Sequence, residues 1–121
     1  MPNREAVDSY YEAWTQLNGD LSKVPLADDF AFVSPVATLR GRDQVQAMAA
    51  QFGPVAIDFR VRDQFFSGDD TVLSVVEWEL PGIEGTTTAA EILTLTDGVI
   101  DKAELFYDPR LVLEFSAAAN K

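Results

Sequence analysis

The hydrophobic period of this chain changes from 3.6 to 2 after Pro54, and that change sets the order of most of its elements. Before it, Val7, Tyr10, Tyr11, Trp14 and Leu17 recur at three-to-four spacing, as do Val45, Met48, Ala49 and Phe52. That is the stripe of an amphipathic helix. After it, Ile57, Phe59 and Val61 alternate with Asp58, Arg60 and Arg62, the period of a half-buried strand. A chain that spends its helices first and its strands afterwards is expected to be α+β.

Local signals place the boundaries. Asn3 is positioned to cap the first helix, and Asn18-Gly19-Asp20 ends it. A helical turn around Leu21–Val24 runs into Pro25, and Phe30, Phe32 and Val33 read as a brief strand stopped by Ser34-Pro35. Gly41-Arg42-Asp43 opens a second helix, which Gly53-Pro54 closes. Four strands follow as a meander, separated by a turn at Ser67–Asp70, a longer loop over Pro81–Gly85, and Asp97-Gly98. Asp108-Pro109 reads as a cap and first-turn proline for a last helix from Arg110 to about Ala118. One domain spanning 1–121 is expected, and both faces of its sheet carry apolar residues, so a homodimer through the sheet is the economical cover.

One residue breaks the pattern. On the strand face Ala89, Glu91, Leu93, Leu95 a carboxylate stands among apolar neighbours. Alternate residues share a face, so Glu91 must point where the leucines point. A carboxylate there shifts its pKa upward or needs a partner, and such groups concentrate at chemical sites. A pairing with Lys102 or an arginine is the purely structural alternative.

What is missing narrows the chemistry. There is no cysteine and no histidine, which excludes disulfides, thiol nucleophiles, Ser-His-Asp triads and most zinc or haem sites. Acid–base work falls to Asp, Glu, Tyr, Lys and Arg. No EF-hand loop is present, and neither a metal nor another cofactor is expected. The net charge of −11 comes without a basic run, which argues against nucleic acid and anionic membrane surfaces. No apolar stretch reaches the roughly 18–20 residues of a membrane helix, and the N-terminus lacks an apolar signal core, so a soluble, cytoplasmic protein is expected.

The ordered set Tyr11-x-Ala13-Trp14, Asn18-Gly19-Asp20-Leu21, Ala27-Asp28-Asp29-Phe30-x-Phe32, Ser34-Pro35-Val36, Gly41-Arg42-Asp43-x-Val45 and Phe106-Tyr107-Asp108-Pro109 resembles the NTF2-like superfamily. Its SnoaL-like polyketide cyclases and ketosteroid isomerases are the nearest in style, over residues 5 to 110. The resemblance implies a cone of curved, cystatin-like antiparallel sheet wrapped around helices, with one deep apolar pocket for a small hydrophobic molecule. It also implies frequent dimers. In the isomerases the residue before Pro-Val is the general-base aspartate; here it is Ser34, so their mechanism is not expected. Glu91 falls on the position of their protonated aspartate, and the partner tyrosine falls near Tyr11, or Tyr10 with a one-residue difference in length. The Asp-Arg-Asp set of limonene epoxide hydrolases is not reproduced, because Val75-Val76-Glu77-Trp78-Glu79 holds no arginine.

The expected site therefore has Glu91 as acid or oxyanion donor, Tyr11 supporting it, and Glu77 as base. Closing the Pro-Gly loop between Leu80 and Thr86 sets Val75 opposite Glu91 and makes Glu77 its diagonal neighbour, roughly 7–8 Å away. Tyr10, Trp14, Phe32, Ser34, Met48, Phe52, Leu93, Leu105 and Tyr107 are the expected lining. The last hairpin leaves two readings. A two-residue turn at Asp97-Gly98 puts Lys102, Glu104, Phe106 and Asp108 on the Glu91 face, whereas a bulge at Gly98 puts Ala103, Leu105 and Tyr107 there. The second set is the more apolar and is preferred, which leaves Asp108 as a helix cap. A cofactor-free isomerase, cyclase or hydrolase acting on an apolar oxygenated substrate is the expected function, and a non-catalytic binding or dimerisation module is the alternative.

Overall fold

The computed structural model describes residues 2–119. In chain order the elements are α1 (Pro2–Gln16), β1 (Leu26–Val33), β2 (Thr38–Arg40), α2 (Arg42–Phe52), β3 (Ile57–Ser67), β4 (Thr71–Leu80), β5 (Ile83–Thr96), β6 (Val99–Phe106) and α3 (Arg110–Ala119). The strands form one sheet in the order β2-β1-β6-β5-β4-β3. β1 runs parallel to β6, and every other pairing is antiparallel. The expected α+β architecture holds, with the short β2 added at one edge and one parallel pair in an otherwise antiparallel sheet.

The alternation of β4 decides which face is inside. Val72, Ser74, Val76, Trp78 and Leu80 are buried, while the residues between them are only half-buried. Ala89, Glu91, Leu93 and Leu95 of β5, with Ile100 and Ala103 of β6, continue that face, and α1 packs its Ala6, Val7, Tyr10 and Trp14 into the same core. Bulges in the β3–β4, β4–β5 and β5–β6 ladders break the register. Each adds local twist and bends its strand, which helps such a sheet to curve.

Several boundaries differ from the sequence reading, each for a local reason. Asn3 lies inside α1 and does not cap it: its Nδ2 donates to the Asp69 carbonyl at 2.7 Å and its Oδ1 accepts from the Gly98 N–H at 2.6 Å. It ties the helix start to two hairpin turns. α1 ends before Leu17, which is exposed, and Gly19 in the left-handed region donates back to the Ala13 carbonyl at 2.9 Å. Gly53 packs so closely on the Asn18 carbonyl that a Cβ there would overlap it, which joins the ends of α1 and α2. β1 starts at Leu26 because exposed Asp28 and Asp29 interrupt the apolar run without interrupting the strand.

Two turns decide what faces the core. Pro81-Gly82 is a two-residue turn closing Leu80 onto Ile83, not the expected longer loop, and Gly82 supplies the positive φ (75°) that a turn led by proline requires. With extra residues of β5 at Glu84–Thr86 bulging opposite Glu79, this sets Ser74, not Val75, opposite Glu91. Glu77 thereby moves to the outer face. At Asp97-Gly98 both residues have positive φ (49° and 82°), the backbone of a type I′ turn. The bulge that restores the apolar face lies farther along, at Asp101 between Ile100 and Lys102. Ala103 and Leu105 thus share the Glu91 face, as preferred, and the Asp108 carboxylate accepts from the Arg110 N–H at the start of α3.

Candidate functional site

Glu91 is 2% exposed, and two adjacent tyrosines of α1 hold its two oxygens. The Tyr10 hydroxyl donates to Oε2 at 2.8 Å and the Tyr11 hydroxyl to Oε1 at 3.0 Å. Neighbouring helix residues diverge by about 100°, yet both rings reach one carboxylate because they pack edge to face, 88° apart with centroids 5.1 Å distant. The expected Tyr11 contact is present, and Tyr10, held open as a substitute, joins it.

Burial pushes the Glu91 pKa up to about 7, against the opposing pull of the Tyr10 and Tyr11 donors, which favour the ionised form. The tyrosines themselves are pushed well above their ordinary range, first by burial and then by the Glu91 charge. For Tyr11 the Ser74 hydroxyl opposes that rise. Ser74 is fully buried and in turn accepts from Gln64 Nε2 at 3.2 Å. No cation touches the Glu91 carboxylate among the described residues, so the Lys102 and arginine pairings are excluded; Lys102 pairs with Glu104.

Glu91 forms part of the wall of a partly open cavity of about 240 Å³. Trp14, Phe32, Ser34, Met48, Phe52, Leu105 and Tyr107 line it as expected. Tyr10 and Leu93 do not: both are fully buried behind the wall, and Tyr11 sits behind Glu91. Phe59, Trp78, Val112 and Phe115 line it without having been expected. Phe59 was legible in the β3 alternation and Val112 with Phe115 in the three-residue spacing of α3, whereas Trp78 was hidden by the same register that set Glu77 on the Glu91 face.

Aromatic rings pack against one another in this wall. Phe59 stacks between Trp14 (centroids 5.4 Å, 24°) and Trp78 (5.9 Å, 6°), and Phe52 stands edge-on to both tryptophans. Tyr107 packs edge to face on Trp78 at 5.4 Å. Trp78 Nε1 is the one buried side-chain polar atom without a nitrogen or oxygen partner among the described residues. Perpendicular faces of Phe52 and Tyr107 adjoin its indole, the setting in which an N–H to ring contact substitutes for a hydrogen bond.

The remaining candidates separate. Glu77 is not a site residue: on the outer face its carboxylate meets Arg60 at 3.3 Å and Arg62 at 3.6 Å and accepts from Thr88 at 2.9 Å. The one-residue register difference, which inverts every facing, is the physical reason. Arg60 also grips Glu79 at 2.8 Å and holds its carboxyl below the usual range. Ser34 reaches the cavity, but its hydroxyl is committed to the β1–β2 turn, donating to the Ala37 carbonyl at 3.1 Å. Beside it, burial raises the Tyr107 phenol and Ser34 opposes the rise. No group of described carboxylates could hold a metal ion.

With one titratable acid in an apolar cavity, comparison with known proteins becomes informative. A steroid delta-isomerase from Pseudomonas aeruginosa superposes with a TM-score of 0.78 at 20% identity, covering 98% of this chain and 92% of that one. A Catenulispora acidiphila protein with a ketosteroid isomerase-like fold, solved in complex with trimethylamine, gives 0.70 at 22% identity over 93% and 92%. A cystatin-like protein of Silicibacter pomeroyi gives 0.79 at 24% over 95% and 82%. These likenesses establish the fold. No curated protein matches the chain. The model of the SnoaL-like domain matches residues 7–103, and the chain belongs to that family.

Proposed function

We propose that this protein binds a small, apolar, oxygenated molecule in the aromatic cavity and moves a proton on it with Glu91, without a cofactor. The observation that carries the reading is a buried carboxylate with a pKa near 7, held by two tyrosines, in the wall of a cavity otherwise almost wholly apolar. A general acid or base works best when its pKa lies near the working pH. With Glu77 on the other face, one carboxylate must both take and return the proton. Isomerisation of an enolisable ketone needs no more than that, whereas hydration would need a second group to activate water.

The test is exchange of the α-hydrogens of 2-tetralone, a compact two-ring ketone, in D2O followed by proton NMR. The protein should accelerate exchange above the buffer rate, and Glu91→Gln should return it to that rate. Tight binding of the ketone without exchange would make the protein a binding module.

We also propose that a second copy covers the outer sheet face. Phe65, Leu73 and Ile92 lie in one cross-strand row, and Val75, Ala90 and Phe106 in the next, with Phe65 61% and Phe106 55% exposed. This apolar stripe is the observation that favours a dimer.

A further inference from the structure

We infer that Tyr107 is the hydrogen-bond donor to the substrate oxygen, so that the site runs with base and donor at opposite places from those the family resemblance implies: Glu91 takes the proton, and the Ser34 side of the cavity holds the oxygen. This rests on the proton-transfer reading above. The resemblance places the base at Ser34 and a donor pair at Glu91 and a first-helix tyrosine. In this structure both first-helix hydroxyls are spent on the Glu91 carboxylate itself, at 2.8 and 3.0 Å. Two such bonds favour the ionised form against the burial that opposes it, and both donors lie behind the carboxylate.

A developing oxyanion then needs a donor elsewhere. Besides Glu91, the polar side chains lining the cavity are Ser34, Ser116 and Tyr107, along with the two tryptophans. Ser34 is committed to the Ala37 carbonyl. Trp78 Nε1 is sealed among rings. Tyr107 is half-buried, fixed by its edge-to-face contact with Trp78, and is the one tyrosine whose hydroxyl does not serve Glu91. Leu105 stands opposite Glu91, and Tyr107 follows two residues on, just past the end of β6. Tyr107 and Glu91 line the same cavity, in which a ketone would lie between them.

The chemistry closes without a co-reactant. Glu91 removes an α-proton; the C–H electron pair forms the enolate double bond, and the carbonyl π pair moves to the oxygen, where Tyr107 donates a hydrogen bond and keeps its proton. The Glu91 carboxylic acid then returns the proton to the γ-carbon of a β,γ-unsaturated ketone, or to the α-carbon in simple exchange. A closed cavity of about 150 Å³ holds benzene, so the 240 Å³ here encloses about ten non-hydrogen atoms, one ring or two fused rings, around the reacting carbonyl. The substrate class is a compact enolisable ketone.

The tetralone exchange assay tests this, run across pH on wild type, Tyr107→Phe and Tyr11→Phe. Tyr107→Phe keeps the ring on Trp78, so the fold is retained. It should lower the plateau rate about a hundredfold, the usual loss of one oxyanion donor, while leaving the pH inflection in place. Tyr11→Phe should instead move the inflection upward, because Glu91 loses a donor to its ionised form. An unchanged plateau in Tyr107→Phe, or a moved inflection there, would overturn the assignment while the Glu91 reading stands. Absence of exchange in the wild type would overturn both.

Discussion

Ser74 stands directly opposite Glu91 across the β4–β5 ladder, and both are buried to within 2% of complete. That pairing puts the serine hydroxyl next to Tyr11, whose own hydroxyl donates to Glu91 at 3.0 Å, and Gln64 donates to the serine at 3.2 Å. Donors in series polarise one another, so the Glu91 carboxylate is stabilised by more than the groups that touch it. Its pKa is the outcome of a contest between burial and this polar support.

The first prediction concerns stability against pH. Glu91 is raised from 4.5 to about 7 on folding, so the folded state binds its proton more tightly than the unfolded state. The resulting stabilisation is full below about pH 4.5 and is lost as pH rises through 7, a loss of about 3 kcal/mol at roughly 1.4 kcal/mol per unit. Glu91→Gln should remove this slope and be the more stable protein at pH 8. Urea unfolding midpoints at pH 4.5, 6 and 8 measure it.

Removing a donor should act on the same balance. Hydrogen bonds to charged groups contribute about 1.5–3 kcal/mol, so Tyr10→Phe or Tyr11→Phe should each raise the Glu91 pKa by about one to two units. Ser74→Ala should raise it by less. Carbon-13 titration of glutamate carboxyls in each variant gives the shifts directly.

Glu77→Gln should leave ketone exchange unchanged, because its carboxylate is on the far side of the sheet with Arg60 and Arg62. The stability cost should be about 1 kcal/mol or less, since the arginines are partly exposed. A large loss of exchange would mean that the outer face takes part in the chemistry.

How much of this was legible in the sequence depended on whether facing or register was at stake. The address of Glu91 followed from alternation alone, since Leu93 and Leu95 on one strand fix which way it points. The role of Glu77 turned on a single residue of register between two strands. That register came from a Pro-Gly turn and a bulge of β5 over Glu84–Thr86, which leave no periodic signal. Tyr107 was recovered although its bulge was assigned to Gly98 and lies at Asp101, because the apolar set had to face inward wherever the extra residue fell. Phe115 and Val112 were visible as an apolar helix face, but nothing local showed that this face closes the cavity.

The outer stripe makes its own prediction. Phe65→Asp and Phe106→Asp should each convert a dimer to a monomer in light scattering at micromolar concentration, with helix and strand content retained. A wild type that is monomeric at the same concentration would contradict the proposed cover.

The most direct test of the central claim is the pKa of Glu91 itself, measured by carbon-13 NMR and assigned by its loss in Glu91→Gln. A midpoint near 7 that shifts on addition of 2-tetralone is the expected result. A midpoint in the ordinary carboxylate range, unmoved by the ketone, would contradict the account, because Glu91 would then be a solvated side chain with no proton to exchange near neutral pH.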